Sequence, residues 1–415
     1  MVDQIELLHR FFEYVKIDTQ SDRDSKTSPS TQKQFDLARK LMDELKEIGL
    51  SDASVDDHCY VTATLEGNLF DPKIPVIGFI AHMDTSQDAP GANVKPRMHK
   101  NYQGGDLALD SGVVIKAEDN PSLKKYIGHD IITSDGTTLL GADDKAGIAA
   151  IITALSFLKE NSHLNKYGTI KVAFTPDEEV GRGTEHFDVK KFGAKYAYTV
   201  DGSEVGEIED ETFNAAKAEY RIKGFNIHPG YGKGKLVNSQ KIAAKLIGML
   251  PYEESPEMTD GDQGFFHILN TSGNVGETVI QLIIRDFNKN GLEEKKNRLK
   301  SYQGQLNAQY GEGTVELKIE DQYPNMKEII DQNPEVMEVA LEAMKRTGVK
   351  PIHKKVRGGT DGANLSYMGL PTPNIFDGSI NFHSVTEYIP LSSMITATEM
   401  LVQIPLIFAE KYHKS

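Results

Sequence analysis

Short apolar runs alternate with longer amphipathic stretches over the first half of the chain. Two helical patterns come first, at about 4–17 and 31–48. The apolar runs then read VTATLEG, PVIGFIAH, TIKVAFTP and YAYTVDG, with the helical pattern KAGIAAIITALSFLKEN between the second and third. Buried strands that alternate with helices are typical of a mostly parallel sheet covered by helices on both faces. The pattern therefore predicts an α/β domain, whose first part we assign to residues 1–206.

The pattern changes after Gly206. The next segments alternate between strand and helix, in the order AEYRIKGFNIHPG, NSQKIAAKLIGML, ETVIQLIIRDF, LEEKKNRLKSYQGQLNAQY and TVELKIEDQY. Three strands and two helices are enough for a small α/β sandwich of its own. The first pattern returns after Pro324, so we predict an inserted domain at 207–323 and the second part of the first domain at 324–415. The segment 84–140, rich in Gly, Pro and Asn, is expected to be an irregular functional loop.

Composition and charge narrow the classes of partner. The chain is 39% hydrophobic and 26% charged, as ordinary globular proteins are, and its net charge of −15 argues against nucleic-acid and anionic-membrane partners. Cys59 is the only cysteine, so no intramolecular disulfide forms. The first residues lack the apolar core of a signal peptide, and the apolar run LVQIPLIFA is too short to cross a bilayer. We expect a soluble cytoplasmic protein, and exposed strand edges in the inserted domain would allow a homodimer.

Side chains that can bind metal follow several of the predicted strands. The carboxyl ends of strands in an open α/β sheet line one ligand crevice, so these side chains are expected to meet there. The segment GADDKAG adds two adjacent aspartates at the start of a helix near the same edge. The residues concerned are His82 and Asp84 in HMD, Glu178 and Glu179 in DEE, Asp201 after YAYTV, His383 in NFH, and Asp143 with Asp144.

The chemistry of this set favours divalent cations. Histidines and carboxylates without cysteine suit zinc, cobalt or manganese. There are more groups than one tetrahedral ion needs, which suggests two ions about 3.5–4 Å apart that share a carboxylate and a water. Taken singly, each motif is more often structural: an aspartate pair caps a helix, and a glutamate pair lies on a solvated surface. Several such segments at one sheet edge favour the metal site.

The residue sequences of the motifs and their order along the chain are more specific than the choice of metal-binding residue types alone. HMDTS, LLGADDKAGIA, FTPDEEVGRG, YTVDG, NIHPG and RGGTDGA resemble the dinuclear zinc exopeptidase family that also contains carboxypeptidase G and aminoacylase-like enzymes. The resemblance covers essentially the whole chain and is closest to tripeptide aminopeptidases. It implies a catalytic domain with an inserted lid domain, two Zn2+ ions per chain, Co2+ or Mn2+ as substitutes, and a small peptide as substrate.

The resemblance also implies a role for each residue of the metal site. His82, Asp143 and Asp201 would hold one zinc, and Asp143 would bridge to a second zinc held by Glu179 and His383. A cis peptide often follows the bridging aspartate in this family. Two further residues carry implied roles in catalysis: Glu178 would act as the general base, and Asp84 would orient the imidazole of His82.

Three further residues are candidates outside the metal ligands. By resemblance, His228 would steady the oxyanion of the reaction intermediate, whereas a histidine beside a Pro-Gly turn is otherwise an exposed turn residue. Arg285 ends an apolar strand and would bind a substrate carboxylate or form an ion pair with Asp286 or another acid of the inserted domain. Arg357, in RGGTDGA, would contact substrate, or the loop would be a plain glycine turn.

The expected function is removal of the N-terminal residue from tripeptides. A dipeptidase or an N-acyl amino acid deacylase with the same metal centre is the nearest alternative. A catalytically silent binding protein would have lost the base or a ligand, and here Glu178 and all five ligand positions are filled. A phosphate-binding protein would need a glycine-rich phosphate loop, and GYGKGK lacks the lysine–Ser/Thr ending of such a loop.

Overall fold

The structure is a computed structural model that describes residues 2–413. The helices are α1 Gln4–Val15, α2 Gln34–Glu47, α3 Ala142–Glu160, α4 Val189–Phe192, α5 Ser239–Ile247, α6 Lys289–Tyr310, α7 Lys327–Asp331, α8 Pro334–Arg346, α9 Asp361–Tyr367 and α10 Leu391–Tyr412. The strands are β1 Ser54–Val55, β2 Val61–Leu65, β3 Ile77–His82, β4 Arg97–His99, β5 Leu107–Ala108, β6 Val114–Ile115, β7 Ile131–Thr133, β8 Ile170–Thr175, β9 Tyr196–Gly202, β10 Glu207–Thr212, β11 Asn214–Lys223, β12 Phe265–Gly273, β13 Glu277–Asp286, β14 Val315–Tyr323, β15 Ile352–Val356, β16 Asn374–Phe376 and β17 Tyr388–Pro390.

The chain divides into two compact units. The larger unit runs to Asp210 and continues in Glu328–Lys354 and from Thr360 onward, and the smaller unit comprises Glu211–Lys327 and Lys355–Gly359. The boundaries at 210 and 327 lie four residues beyond the expected 206 and 323. The short return of the chain at 355–359 has no counterpart in the expected division.

The larger unit contains a sheet of eight strands in the order β1-β2-β8-β3-β9-β16-β10-β15. Its central strands β8, β3, β9 and β16 run parallel, while β2 and β10 pair antiparallel with their neighbours β8 and β16. All six residues of β3 are buried, as in a strand covered on both faces. The carboxyl ends of the parallel strands therefore meet at one edge, where His82 and Asp201 lie.

Helices α3 and α10 belong to the core of this unit. Most residues of α3 are buried on all sides, and α10 packs against both α3 and α8. Within the described residues α10 is the one helix whose length and mean hydropathy would suffice to cross a membrane. It extends well beyond the apolar run LVQIPLIFA, because polar residues such as Thr398 continue its buried face. Its burial is that of a core helix.

Two predictions of secondary structure were wrong in detail. The segment 84–140 is not irregular throughout, because it contributes β4 and β7 to a three-stranded sheet and pairs β5 with β6. These strands have two or three residues, too few for an alternating pattern. The smaller unit has four strands rather than three, in the antiparallel order β12-β13-β11-β14. The additional strand, β12, lies at the edge of that sheet, and most of its residues are exposed.

The smaller unit folds around its own apolar core. Alternate residues of β11 are buried, and helices α5 and α6 pack on the sheet. Tyr220, Leu282 and Leu299 lie within this core and are almost fully buried. The opposite face of the sheet carries charged side chains, including the ion pair between Lys217 and Glu320 at 2.8 Å.

Candidate metal centre

His82 ends the buried strand β3 and points its ring into a group of carboxylates. Its Nε2 lies 2.8 Å from Asp143 Oδ1 and 3.4 Å from Asp201 Oδ1. Its Nδ1 lies 3.0 Å from the backbone oxygen of Asp84 and 3.4 Å from the carboxylate of that residue. Only 3% of His82 is exposed, and both nitrogens of its ring lie close to protein oxygens.

Asp143 lies at the start of α3, where the backbone is not helical. Asp143 and Asp144 have φ/ψ of −76°/105° and −119°/32°, and the peptide bond between them is cis. The two side chains have different partners: Asp143 faces the histidines, whereas Asp144 Oδ2 accepts the backbone N–H of His82 at 3.0 Å. A Cβ at Gly147 would lie 2.2 Å from Asp144 Oδ1, so this close approach requires glycine.

The second histidine reaches Asp143 from a loop. His383 has a φ of +59° and is 39% exposed. Its Nε2 lies 3.2 Å from Asp143 Oδ2 and 2.9 Å from Glu179 Oε2. The two oxygens of Asp143 thus face different histidines, which is the arrangement of a bridging carboxylate.

The five residues form two groups that share Asp143. His82, Asp143 and Asp201 make the first group, and Asp143, Glu179 and His383 make the second, with the ligand atoms of each group within 4.8 Å of one another. The other oxygen of Glu179 is buried without a hydrogen-bond partner in the described part of the chain. Imidazole and carboxylate donors suit zinc, cobalt and manganese, so the residues present fit two divalent cations.

The electrostatics of the site agree with this fit. Hydrogen bonds with Asp143 and Glu179 raise the pKa of His383 to about 11. Burial opposes ionisation of Asp143, but hydrogen bonds from His383 and His82 outweigh it and hold the pKa of Asp143 below its usual value. Burial, together with the charge on Asp143, raises the pKa of Glu179 to about 8. Carboxylates in excess therefore share protons with the histidines, and cations would take the place of those protons.

Asp84 connects His82 to the turn that carries the two glutamates. Its Oδ1 accepts the backbone N–H of Glu178 at 2.9 Å, and its Oδ2 accepts that of Glu179 at 3.2 Å. Burial raises the pKa of Glu178 well above its usual range, and the charges on Asp201, Asp361 and Glu179 add to this effect. Cations at the site would act in the opposite direction and favour the carboxylate that a general base needs.

Two acids that support the site, Glu387 and Asp88, are not indicated by the sequence pattern. Glu387 is 1% exposed, and its carboxylate accepts the backbone N–H groups of Leu140, Gly141 and Asp143 at 2.7, 2.8 and 3.1 Å. Asp88 Oδ2 lies 3.1 Å from Nδ1 of His383. The available signal was weak, since neither acid directly follows a predicted strand.

The remaining candidates, His228, Arg285 and Arg357, belong to the smaller unit. His228 is exposed, and its Nδ1 accepts the N–H of Gly230 at 3.2 Å. Its role in catalysis stays a prediction.

Arg285 and Arg357 both have hydrogen-bond partners within the smaller unit. Arg285 donates to the carbonyl oxygens of Ala216 and Ile284 and to Gln322, at 3.0–3.2 Å. The ion pair with Asp286, one of the alternatives that the sequence left open, is not formed, and Asp286 pairs with Lys295 at 2.7 Å.

Arg357 holds a loop of its own unit. It donates to the backbone oxygens of Gly261 and Gln263 at 2.7 and 2.9 Å and to Thr259 Oγ1 at 3.0 Å. Its guanidinium also lies over the rings of Phe213 and Phe265. Binding of substrate by Arg285 or Arg357 stays a prediction.

Comparisons with known proteins agree with one another. A model of the peptidase family M20/M25/M40 matches residues 134–406. Proteins named peptidase T from Clostridium acetobutylicum and Caldanaerobacter subterraneus subsp. tengcongensis are 51% and 52% identical to this chain, cover 98% of it, and are themselves covered to 100% and 99%. The crystal structure of the aminopeptidase PepT from Bacillus cereus superposes with a TM-score of 0.78 at 26% identity and covers 98% of this chain and 99% of that one.

Proposed function

Because the chain belongs to the peptidase family M20/M25/M40, we propose that it is a two-zinc aminopeptidase that removes the N-terminal residue from tripeptides. The observation that supports the two ions most strongly is the pair of three-residue groups of candidate ligands that share Asp143. A carboxylate shared by two such groups can bridge two ions of the kind found in dinuclear hydrolases. The similarity to proteins named peptidase T supports the choice of an aminopeptidase within the family.

We assign each of these residues a role in the proposed reaction. His82, Asp143 and Asp201 would hold one ion, and Asp143, Glu179 and His383 the other. When bound, two divalent cations would polarise the peptide carbonyl and lower the pKa of the attacking water. Glu178 would take a proton from that water and deliver it to the nitrogen of the departing peptide.

Asp84 prepares the site for this proton transfer. Its carboxylate fixes the backbone of both glutamates, while its carbonyl and carboxylate oxygens face Nδ1 of His82. One residue would therefore set the tautomer of a ligand, through its backbone oxygen, and the position of the base, through its carboxylate. The place of action would be the cytoplasm, where peptide breakdown is completed.

The test compares a plain tripeptide with its N-acetylated form on the zinc-loaded protein. Release of the N-terminal residue from the free-amine peptide alone is the expected result. Cleavage of the acetylated peptide at the acyl group would overturn the aminopeptidase in favour of a deacylase with the same metal centre. Failure to cleave either peptide, with zinc bound, would overturn the proposed activity altogether.

A further inference from the structure

The imidazole of His82 is fixed by burial, whereas the more exposed imidazole of His383 needs hydrogen-bond partners to fix its orientation. His82 is nearly enclosed, whereas His383 lies on a loop with a left-handed backbone at both Asn381 and His383 and has 39% of its side chain exposed. A ring in that position rotates unless both nitrogens have partners. Its Nε2 faces Asp143 and Glu179, which leaves Nδ1 to be fixed from the other side.

Asp88 occupies that side. Its Oδ2 lies 3.1 Å from His383 Nδ1, although 295 positions separate the two residues in the chain. The hydroxyl of Ser86 donates to the same oxygen at 2.9 Å and accepts the backbone N–H of Asp88 at 3.2 Å. The carboxylate is therefore directed by a local turn and not by its contact with the histidine alone.

The turn that carries Asp88 is itself held in place. The side-chain amide of Gln20 donates to the backbone oxygens of Ser86 and Ala89 at 2.8 and 2.9 Å, on either side of Asp88. Ser21 donates its backbone N–H to Thr85 at 3.2 Å. A carboxylate on a braced turn is a preorganised acceptor for a ligand's second N–H.

We propose that Asp88 is a positioning residue for the second metal site, where it accepts the Nδ1–H of His383 and thereby presents Nε2 to the cation. The inference rests on the proposed dinuclear function. It gives the loop after β3 two parallel tasks, since Asp84 faces Nδ1 of the first histidine ligand and Asp88 faces Nδ1 of the second. A histidine that donates one N–H to a carboxylate is fixed in its tautomer and becomes a better ligand.

The size of the effect follows from exposure. Loss of such a partner typically weakens metal binding by about 10–100-fold. Asp88 is 54% exposed, so water screens its charge and replaces part of its hydrogen bond. We expect the lower end, about tenfold, for Asp88→Ala. Asp88→Asn keeps an acceptor oxygen without the charge and should fall between Asp88→Ala and the native protein.

The experiment measures the affinities of the two zinc sites by competition with a chromophoric chelator in the full chain. The matched control is Asp110→Ala, which removes another exposed acid of the same segment, one paired with Arg97. Asp88→Ala should release the second zinc at about tenfold lower chelator concentration, with the first zinc unchanged. Asp110→Ala should behave as the native protein does. In nitrogen-15 spectra of the zinc-loaded protein, the Nδ1–H signal of His383 should shift in Asp88→Ala and stay in place in the control.

The results that would overturn the role of Asp88 can be distinguished from those that would overturn the proposed function. If the native protein binds two zinc ions and both Asp88 variants hold them with native affinities, the positioning role is overturned while the proposed function stands. If Asp88→Ala weakens both sites equally and lowers the melting temperature of the metal-free protein, Asp88 is a structural residue of the loop and the inference fails. If the native protein itself binds fewer than two ions, the proposed dinuclear function fails first.

Discussion

Asp143 and Glu178 are both acids at one sheet edge, but their contacts predict opposite consequences of removal. Asp143 has an oxygen near each histidine, so Asp143→Ala should lose bound metal at both positions. Glu178→Ala should retain both ions and lose about 10²–10⁴-fold in kcat, the range for removal of a general base. Metal analysis of the dialysed proteins beside turnover of a tripeptide checks both. Intact metal content in Asp143→Ala would show that the bridging assignment is wrong.

Asp135 gives a prediction about pH that is independent of the metal ligands. Hydrogen bonds from the side chain and backbone of Thr137, together with Lys95, lower its pKa from 3.8 to about 2. The folded form holds the proton less tightly than the unfolded form, so the stabilisation is complete well above pH 4 and is lost as the pH falls towards 2. Asp135→Asn should lower the free energy of unfolding by about 1–2 kcal/mol at pH 7 and by progressively less below pH 4.

Urea unfolding at several pH values measures this difference. Asp110→Asn serves as the control, because its carboxylate is 60% exposed and its partner is a surface arginine. A stability difference for Asp135→Asn that stays constant between pH 7 and pH 3 would contradict the assigned pKa.

At this same scale the sequence predicts which candidate ligands meet at the sheet edge better than it predicts the residues that support them. The ligands stand directly after buried strands or within a distinctive motif, so topology alone brings them together. Asp88 and Glu387 reach partners 295 and 244–247 positions away in the chain. Such contacts depend on the path of two loops, and no local pattern records them.

At the scale of elements, the start of α3 depends on a side chain from a distant segment. Glu387 accepts three backbone N–H groups there and is almost fully buried. Glu387→Ala would leave these donors without a protein partner, and each unsatisfied buried group costs about 1–3 kcal/mol. We expect Glu387→Ala to lower the free energy of unfolding by about 3 kcal/mol or more, and Glu387→Gln, which keeps one acceptor oxygen, by less.

Urea unfolding at neutral pH tests the role of Glu387. Glu13→Ala is the control, since Glu13 pairs with Lys16 on the surface and such pairs contribute less than about 1 kcal/mol. Equal stability losses in Glu387→Ala and Glu13→Ala would show that water replaces the carboxylate at the start of α3.

Elements differ in how well their patterns predict them. Strand β3 and the middle of helix α3 are mostly apolar and buried, and the sequence predicts both elements. The edge strand β12 was missed because its sequence, FFHILNTSG, does not alternate between apolar and polar residues. Strands of two or three residues, such as β5 and β6, are too short to show a period. The sequence predicts elements that are buried along their length, and it does not predict strands that are very short or largely exposed.

At the scale of the whole molecule, Arg357 belongs to the smaller unit although most residues around it in sequence belong to the larger one. It donates to backbone oxygens between Thr259 and Gln263. Arg357→Ala should therefore open this loop and speed its cleavage by a nonspecific protease about tenfold, the equivalent of about 1.4 kcal/mol. Limited proteolysis of the full chain with identification of the cut sites is the measurement.

The matched control for Arg357→Ala is Arg221→Ala, which removes an exposed arginine paired with Glu277 in the same unit. Unchanged cleavage together with a raised KM for a tripeptide would contradict the loop role and favour the substrate contact expected from the motif RGGTDGA.

The division of the chain into two units has a consequence for how the gene can evolve. The backbone passes between the units four times, after residues 210, 327, 354 and 359. A single recombination that exchanged 211–327 for the insert of another gene would leave behind five residues shaped for the old one, with Arg357 facing a loop that no longer offers its oxygens. A lineage that acquires a new insert would therefore need changes in two separate stretches of its gene. Residues 211–327 and 355–359 should accordingly coevolve.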